Sequence, residues 1–200
     1  WGAVVVAYDP ARGGVRRVSP QKLAAENTEW EFTSRKDGAR VVGASTAGDD
    51  AELVFVASDA QLLRFDASSV RPQGRAAGGM AGIRLSDGAR VVAFTAVADA
   101  ESAVVVTIAG SSQAIAGTDA GSAKVSAFSE FPAKGRATGG GRAPRLLRGG
   151  DALTRAWAGS EPRALAADGA VRTLPEAGAK RDASGQPLDA VVAAVGTAID

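Results

Sequence analysis

Short apolar runs rich in β-branched residues, each closed by glycine or by acidic residues, recur along the whole chain. Ala3-Val4-Val5-Val6-Ala7-Tyr8 stops at Asp9-Pro10, and Gly13-Gly14 leads into Val15-Arg16-Arg17-Val18, which predicts a hairpin. A weaker stretch follows, in which Trp30 and Phe32 alternate with Glu29 and Glu31 as in a strand with one wet face. Next come Val41-Val42-Gly43-Ala44, an acidic tip at Gly48-Asp49-Asp50, Leu53-Val54-Phe55-Val56, a turn at Ser58-Asp59, and Leu62-Leu63-Arg64-Phe65. Three strands joined by tight turns are expected to form a meander. The order returns with Val91 to Phe94, a tip at Asp99-Ala100-Glu101, Val104 to Ile108, a turn near Gly110-Ser111, Ala114-Ile115, and Val125 to Phe131. It returns again with Leu153 to Trp157, a tip at Gly159-Ser160-Glu161, Ala164-Leu165-Ala166, a turn at Asp168-Gly169, and Val171 to Leu174.

Between these rounds two glycine-rich words repeat. Gln73 to Leu85 laid on Lys134 to Leu146, an offset of 61, keeps Gly74/Gly135, Arg75/Arg136, Gly78/Gly139, Gly79/Gly140 and Arg84/Arg145. Asp37-Gly38-Ala39-Arg40-Val41-Val42 recurs unchanged at Asp87 to Val92, and a degraded glycine and basic stretch runs from Gly178-Ala179-Lys180-Arg181 to Gly185. Such a period implies radially arranged or stacked units. The pattern predicts one all-β domain over residues 1–200, a propeller-like ring of about four four-stranded blades. The units are placed at 39–88, 89–150 and 151–188, with 1–38 completed by 189–200. In this reading the tail strand Leu188 to Val195 pairs with Ala3 to Tyr8, closing the ring and hiding its edges.

Composition narrows the chemistry. The chain has neither cysteine nor histidine, which excludes disulfides and thiolate metal sites and removes the commonest general base. No apolar run approaches the ~20 residues of a membrane-spanning helix, and no export signal is read at the start. The opening Trp1 suggests a fragment of a longer chain. The formal charge is only +1, yet 18 of the 23 cations are arginine, and they sort by loop type. The first tips are acidic, whereas residues 67–86 carry only Arg71, Arg75 and Arg84, and residues 131–150 only Lys134, Arg136, Arg142, Arg145 and Arg148.

Glycine-rich turns let backbone amides approach phosphate, and arginine adds a planar fork of donors. Turns of this kind spaced around a ring would follow a nucleic-acid backbone without reading bases. The residues assigned to duplex DNA are Arg64, Arg71, Arg75, Arg84, Lys134, Arg136, Arg142 and Arg145. A nucleotide loop is disfavoured because no Gly-Lys-Ser/Thr ending follows Gly74 to Gly79. Acidic pairs such as Asp49-Asp50 read as solvated tips, not Mg²⁺ ligands, and Tyr8 as rim packing, not a nucleophile. Trp1, Trp30 and Trp157 read as gap-fillers between units. The alternative is a propeller-type protein-interaction module whose acidic tips dock a partner.

Gln73-Gly74-Arg75-Ala76-Ala77-Gly78-Gly79, followed by Gly82-Ile83-Arg84-Leu85 and Gly88-Ala89-Arg90-Val91-Val92, resembles the blade-end signature of the C-terminal domain of the A chains of bacterial type IIA topoisomerases, the gyrase and topoisomerase IV family. The resemblance implies a β-pinwheel, in which neighbouring blades share strands and the rim binds and bends duplex DNA. It implies no catalytic residue, metal site or cofactor in this domain. The cleavage tyrosine and the use of ATP and Mg²⁺ would belong to the parent topoisomerase. So would the partners, namely the remainder of the topoisomerase polypeptide that carries this domain and, through it, the ATPase subunit. A cytoplasmic, nucleoid-associated setting follows. Gly74 stands where the family's box has the first arginine of its pair, and no lysine follows Gly79. Those departures favour a topoisomerase IV-like role over strong chiral wrapping, and four units against gyrase's six imply either a smaller ring or blades that lie outside these 200 residues.

Overall fold

A computed structural model describes residues 3–18, 39–74, 77–115 and 117–197. In chain order its strands are β1 (Ala3–Tyr8), β2 (Gly14–Val18), β3 (Val41–Ala47), β4 (Glu52–Ala57), β5 (Gln61–Asp66), β6 (Met80–Ala81), β7 (Val91–Val97), β8 (Val104–Gly110), β9 (Ser122–Ala127), β10 (Gly141–Arg142), β11 (Ala152–Gly159), β12 (Pro162–Leu165), β13 (Val171–Arg172), β14 (Gln186–Pro187) and β15 (Ala194–Thr197). Single-turn 3-10 helices occupy Ala67–Ser69 and Phe128–Glu130. No helix among the described residues is long and apolar enough to cross a membrane.

The strands form four antiparallel sheets, ordered β3-β1-β2-β6, β7-β4-β5-β10, β11-β8-β9-β14 and β15-β12-β13. This is the all-β pinwheel expected, with four blades, the last showing three strands among the described residues. Each central hairpin is flanked by strands that come later in the chain. After β1 and β2 the chain lays β3 into the first sheet, builds β4 and β5 in the second, and returns to the first with β6. The same move recurs from β7 to β10 and from β11 to β14.

That exchange corrects the expected meander. β3 and β4 do not pair, and Gly48-Asp49-Asp50 is a crossing between blades, not a hairpin tip. The sequence is ambiguous here because a short polar link serves either geometry. What decides is β4, which is apolar on both faces and lies between β5 and β7. The tail is a second correction. β15 pairs with β12, register Pro162↔Thr197 to Leu165↔Ala194, and β1 has β2 and β3 as its neighbours. Both edges of β1 are thus occupied from within the N-terminal half. Ala114 and Ile115 form no strand. They lie in the loop between β8 and β9, Ile115 is 78% exposed, and both edges of β8 are already taken by β9 and β11. The stretch expected at 125–131 runs earlier, as β9, and then turns at Phe128. Trp30, Phe32 and Asp37-Gly38 fall outside the described residues.

The core consists of layers between blades. Along β4, Leu53, Phe55 and Ala57 pack with Val5, Ala7 and Val15 of the first blade, while Val54 and Val56 face Val105, Phe128 and Leu153 of the third. The period of two thus buries alternate side chains in different layers. Phe55 anchors the first layer, its ring 6.0 Å from Phe65 and 5.1 Å from Phe94. The layer between the third and fourth blades is smaller, built on Ile108, Ala123, Ala164 and Val192. β3 packs on β7, β7 on β11 and β11 on β15, so these strands face inward and β6, β10 and β14 form the outer edges.

Candidate nucleic-acid interface

Each glycine-rich connector leaves the third strand of one blade and is pinned to the outer edge of the blade before it. At its start, backbone N–H groups of Gln73, Lys134 and Ala179 donate to the carbonyls of Arg17, Arg64 and Val125, at 2.8, 3.0 and 3.2 Å. These acceptors occupy equivalent places on β2, β5 and β9. A four-residue turn follows, closed by Ala77 N–H to Gly74 O and Ala183 N–H to Lys180 O, both 3.0 Å, and in the second copy by Thr138 Oγ1 donating to Gly135 O at 2.8 Å. Then come the two-residue edge strands β6, β10 and β14. Beyond them Gly82, Ala143 and Leu188 donate to the carbonyls of Gly13, Ala60 and Gly121. Those three acceptors share one left-handed backbone conformation, with φ of 67°, 66° and 69°.

The connectors are also tied to one another. Arg84 N–H donates to Thr138 O at 3.0 Å and Ala137 N–H to Gly82 O at 2.7 Å, and Arg145 N–H repeats the first contact on Ala183 O at 3.1 Å. The end of each connector is thus bonded to the turn of the next, which makes the three connectors one succession along the outer edge. Arg71, Arg84, Lys134, Arg142 and Arg145 are exposed on it. Arg136 is half-buried and donates to Ala81 O at 2.6 Å and Ser69 O at 3.3 Å, holding its turn against β6. Lys134 Nζ donates to Gly140 O at 2.7 Å. Arg75 lies outside the described residues.

Arg64 is placed differently from its expected role. Its side chain is 14% exposed, with Nε 2.7 Å from Glu52 Oε2, Nη2 donating to Glu52 Oε1 at 3.0 Å and Nη1 to Phe128 O at 2.9 Å. It is a clamp between blades and is not brought to the outer edge with the others. Its partner Glu52 lies on β4, the neighbouring strand of the same hairpin, two residues from the position opposite Arg64.

Three comparisons bear on this architecture. The family model described as the DNA gyrase C-terminal domain, beta-propeller, matches residues 51–98 and 113–142, which hold the second blade and the second glycine-rich turn. Over these residues the chain is similar to the gyrase A C-terminal domain. It is 30% identical over 104 residues to the A chain of DNA gyrase from Escherichia coli K12, covering 52% of this chain and 11% of that protein. It is 34% identical over 105 residues to the topoisomerase subunit TopoM of Mycolicibacterium smegmatis, covering 52% of this chain and 13% of that one. The chain thus spans a small part of the length of these relatives. Its fold is similar to the C-terminal domain of DNA topoisomerase IV, with TM-score 0.74, 17% identity and coverage of 98% of this chain and 61% of that one. It is also similar to the DNA gyrase A C-terminal domain, with TM-score 0.73, 15% identity and coverage of 98% and 66%.

The third turn, Lys180-Arg181-Asp182-Ala183, is the equivalent of Gly74 to Ala77 and Gly135 to Thr138. Arg181 therefore stands where Arg136 stands, and Lys180 and Arg181 join the outer edge although sequence reasoning had left them out. The signal was their place immediately after Gly178-Ala179, obscured by the intruding Asp182. Beneath this turn lies Lys124, 2% exposed, whose ammonium donates to the carbonyls of Ala143, Lys180 and Arg181. Burial pushes its pKa down to about 8, with Asp182 and Glu130 opposing the shift and Arg181 adding to it.

The acidic crossings are held by their own contacts. Asp49 pairs with Arg17. Asp99 accepts from Ser102 Oγ at 2.6 Å and from the Glu101 N–H, which hold its carboxyl below its ordinary value, and Ser102 Oγ meets Ser160 Oγ of the next crossing at 2.6 Å. Tyr8 packs at the rim: its hydroxyl donates to Gly78 O at 2.7 Å. Burial raises its pKa, against Arg16 and with Asp9. Trp157 is half-buried on β11, its indole covering Gly159.

Proposed function

We propose that the outer edge of this domain binds duplex DNA by its phosphate backbone, without base readout, and bends it. The supporting observation is the succession of three equivalent connectors, joined by backbone bonds from Gly82 and Arg84 to the turn Gly135 to Thr138 and from Arg145 to the turn Lys180 to Ala183, with Arg71, Arg84, Lys134, Arg142 and Arg145 exposed along them. Rigid backbone spacing of cations along one edge suits a polymer whose charge repeats regularly. In the parent topoisomerase the bound segment would be presented for ATP-dependent strand passage. ATP and Mg²⁺ would serve the parent enzyme and not this domain. Its partners are duplex DNA, the remainder of the topoisomerase polypeptide that carries it and, through that, the ATPase subunit, in the cytoplasm. The modest net charge of +1 and the missing arginine at Gly74 fit a topoisomerase IV-like role, in which DNA is bent more than wrapped.

Fluorescence anisotropy with unrelated duplexes over a range of salt tests this. Binding should weaken with a log-log slope of about −0.9 per phosphate neutralised. Arg84→Ala combined with Arg145→Ala should weaken every duplex alike and flatten the slope by roughly 2. Equal binding by parent and double variant removes the edge from the interface. Duplex left unretarded at low salt would select the alternative, a protein-docking module. Religation of a nicked circle bound by the domain should leave its linking number unchanged, and a change would indicate chiral wrapping.

A further inference from the structure

Where the second and third turns meet, two cations converge over a glycine. A Cβ placed on Gly141 would lie 3.0 Å from Arg181 Nη1 and 3.8 Å from Lys134 Nζ, so both nitrogens stand within 4 Å of one point at the surface of β10. Equivalent arginines behave differently here. Arg136 gives its donors to the carbonyls of Ser69 and Ala81, whereas the Arg181 guanidinium has no hydrogen-bond acceptor or ion-pair partner among the described residues. Glu130, the carboxylate beside it, accepts the Arg181 main-chain N–H at 3.3 Å and forms no ion pair with either cation among the described residues. Lys134 retains donors beyond the one it gives to Gly140 O.

Two cations facing one point repel each other, and an anion placed at that point offsets the repulsion. We propose that Lys134 and Arg181, over the bare backbone of Gly141, form a phosphate subsite. Its ligand is one phosphodiester of the duplex, so the assignment rests on the DNA-binding reading and extends the path onto the third turn. A tetrahedral anion can accept from the planar guanidinium on one side and from the ammonium on the other, each charge-assisted bond being about 2.7 to 2.9 Å. The missing Cβ leaves room for the phosphate oxygens, and any side chain at position 141 would fill that room.

Two measurements test it. In salt titrations of duplex binding, Lys134→Gln with Arg181→Gln should flatten the log-log slope by about 1, the loss of one shared phosphate, and each single variant should lose most of what the double variant loses. An unchanged slope in a folded double variant overturns the subsite while leaving the wider DNA-binding reading in place. Independently of DNA, inorganic phosphate should shift the Gly141 amide and Arg181 Nε resonances saturably, where equal ionic strength of chloride does not. Gly141→Ala should abolish that response with both charges kept. A parent chain that answers phosphate at these groups yet ignores duplex DNA would keep the subsite and reject the DNA reading. No phosphate response rejects the subsite itself.

Discussion

The guanidinium of Arg64 lies 4.1 Å above the centroid of the Phe128 ring, and its Nη1 also donates to the Phe128 carbonyl. With Glu52 on its other side, Arg64 joins the second blade to the third. Arg17 stands at the equivalent place one blade earlier, where Nη1 donates to Ala67 O at 3.4 Å and Nη2 pairs with Asp49. A related clamp is thus built there, with its carboxylate drawn from the crossing after β3 and an alanine at Ala67 in place of the ring. Arg64→Ala strands a half-buried Glu52 and removes the stacking, and should cost about 2 to 4 kcal/mol in urea unfolding. Arg64→Lys should recover less than half, because an ammonium cannot both stack flat and fork onto a carboxylate. A loss below about 1 kcal/mol would remove the clamp.

Gly79 and Gly140 are equivalent glycines at φ of 75° and 72°, but what stands over each differs. A Cβ on Gly79 meets the Tyr8 ring at 2.8 Å, and a Cβ on Gly140 meets the Leu62 backbone carbon at 2.7 Å. Both alanine variants should lose at least about 1 kcal/mol, from strain and overlap. Tyr8→Ala should restore part of the loss in Gly79→Ala and none in Gly140→Ala. Thermal melts of the four combinations read this directly.

Lys124 predicts a pH dependence. Its pKa, about 8 when folded against an ordinary 10.5, means the native chain holds fewer protons than the unfolded chain between those values. The cost of burying the charge is complete below about pH 8 and is relieved as pH rises toward 10.5. Relative to Lys124→Met, the parent should therefore gain roughly 1 to 3 kcal/mol between pH 7.5 and 10. A difference that stays flat or runs the other way contradicts the assignment.

Arg136 and Arg84 separate scaffold from interface. Arg136 holds the carbonyls of Ser69 and Ala81, and its alanine variant should lower Tm by a few degrees, the equivalent of about 1 kcal/mol in a chain of 200 residues. The exposed Arg84 meets its neighbour through its backbone, so Arg84→Ala should leave Tm unchanged and weaken duplex binding.

The hairpins and the repeated turns were legible because local signals write them: β-branched runs such as Val4 to Val6, and glycine at positions of positive φ such as Gly13 and Gly79. Which sheet a strand joins was not. Val41 to Ala47 reads the same whether the polar link after it folds back or crosses to the next blade, and only packing decides. The outer edge was legible as an acid-free contour around Arg71, Arg84, Arg142 and Arg145. Arg64 misled because a partly buried arginine and an exposed one look alike in a chain, and Arg181 was missed because Asp182 masks the basic character of its turn.

Since β6 belongs to the first sheet yet follows hairpin β4–β5 of the second, and β10 and β14 repeat the arrangement, no repeat can be excised without leaving gaps in two sheets at once. Shortening or lengthening such an array by whole units would have to cut within paired blades, never at a boundary between them. Loss of structure should accordingly spread from any damaged blade to its neighbour, so that adjacent blades melt together and not one by one.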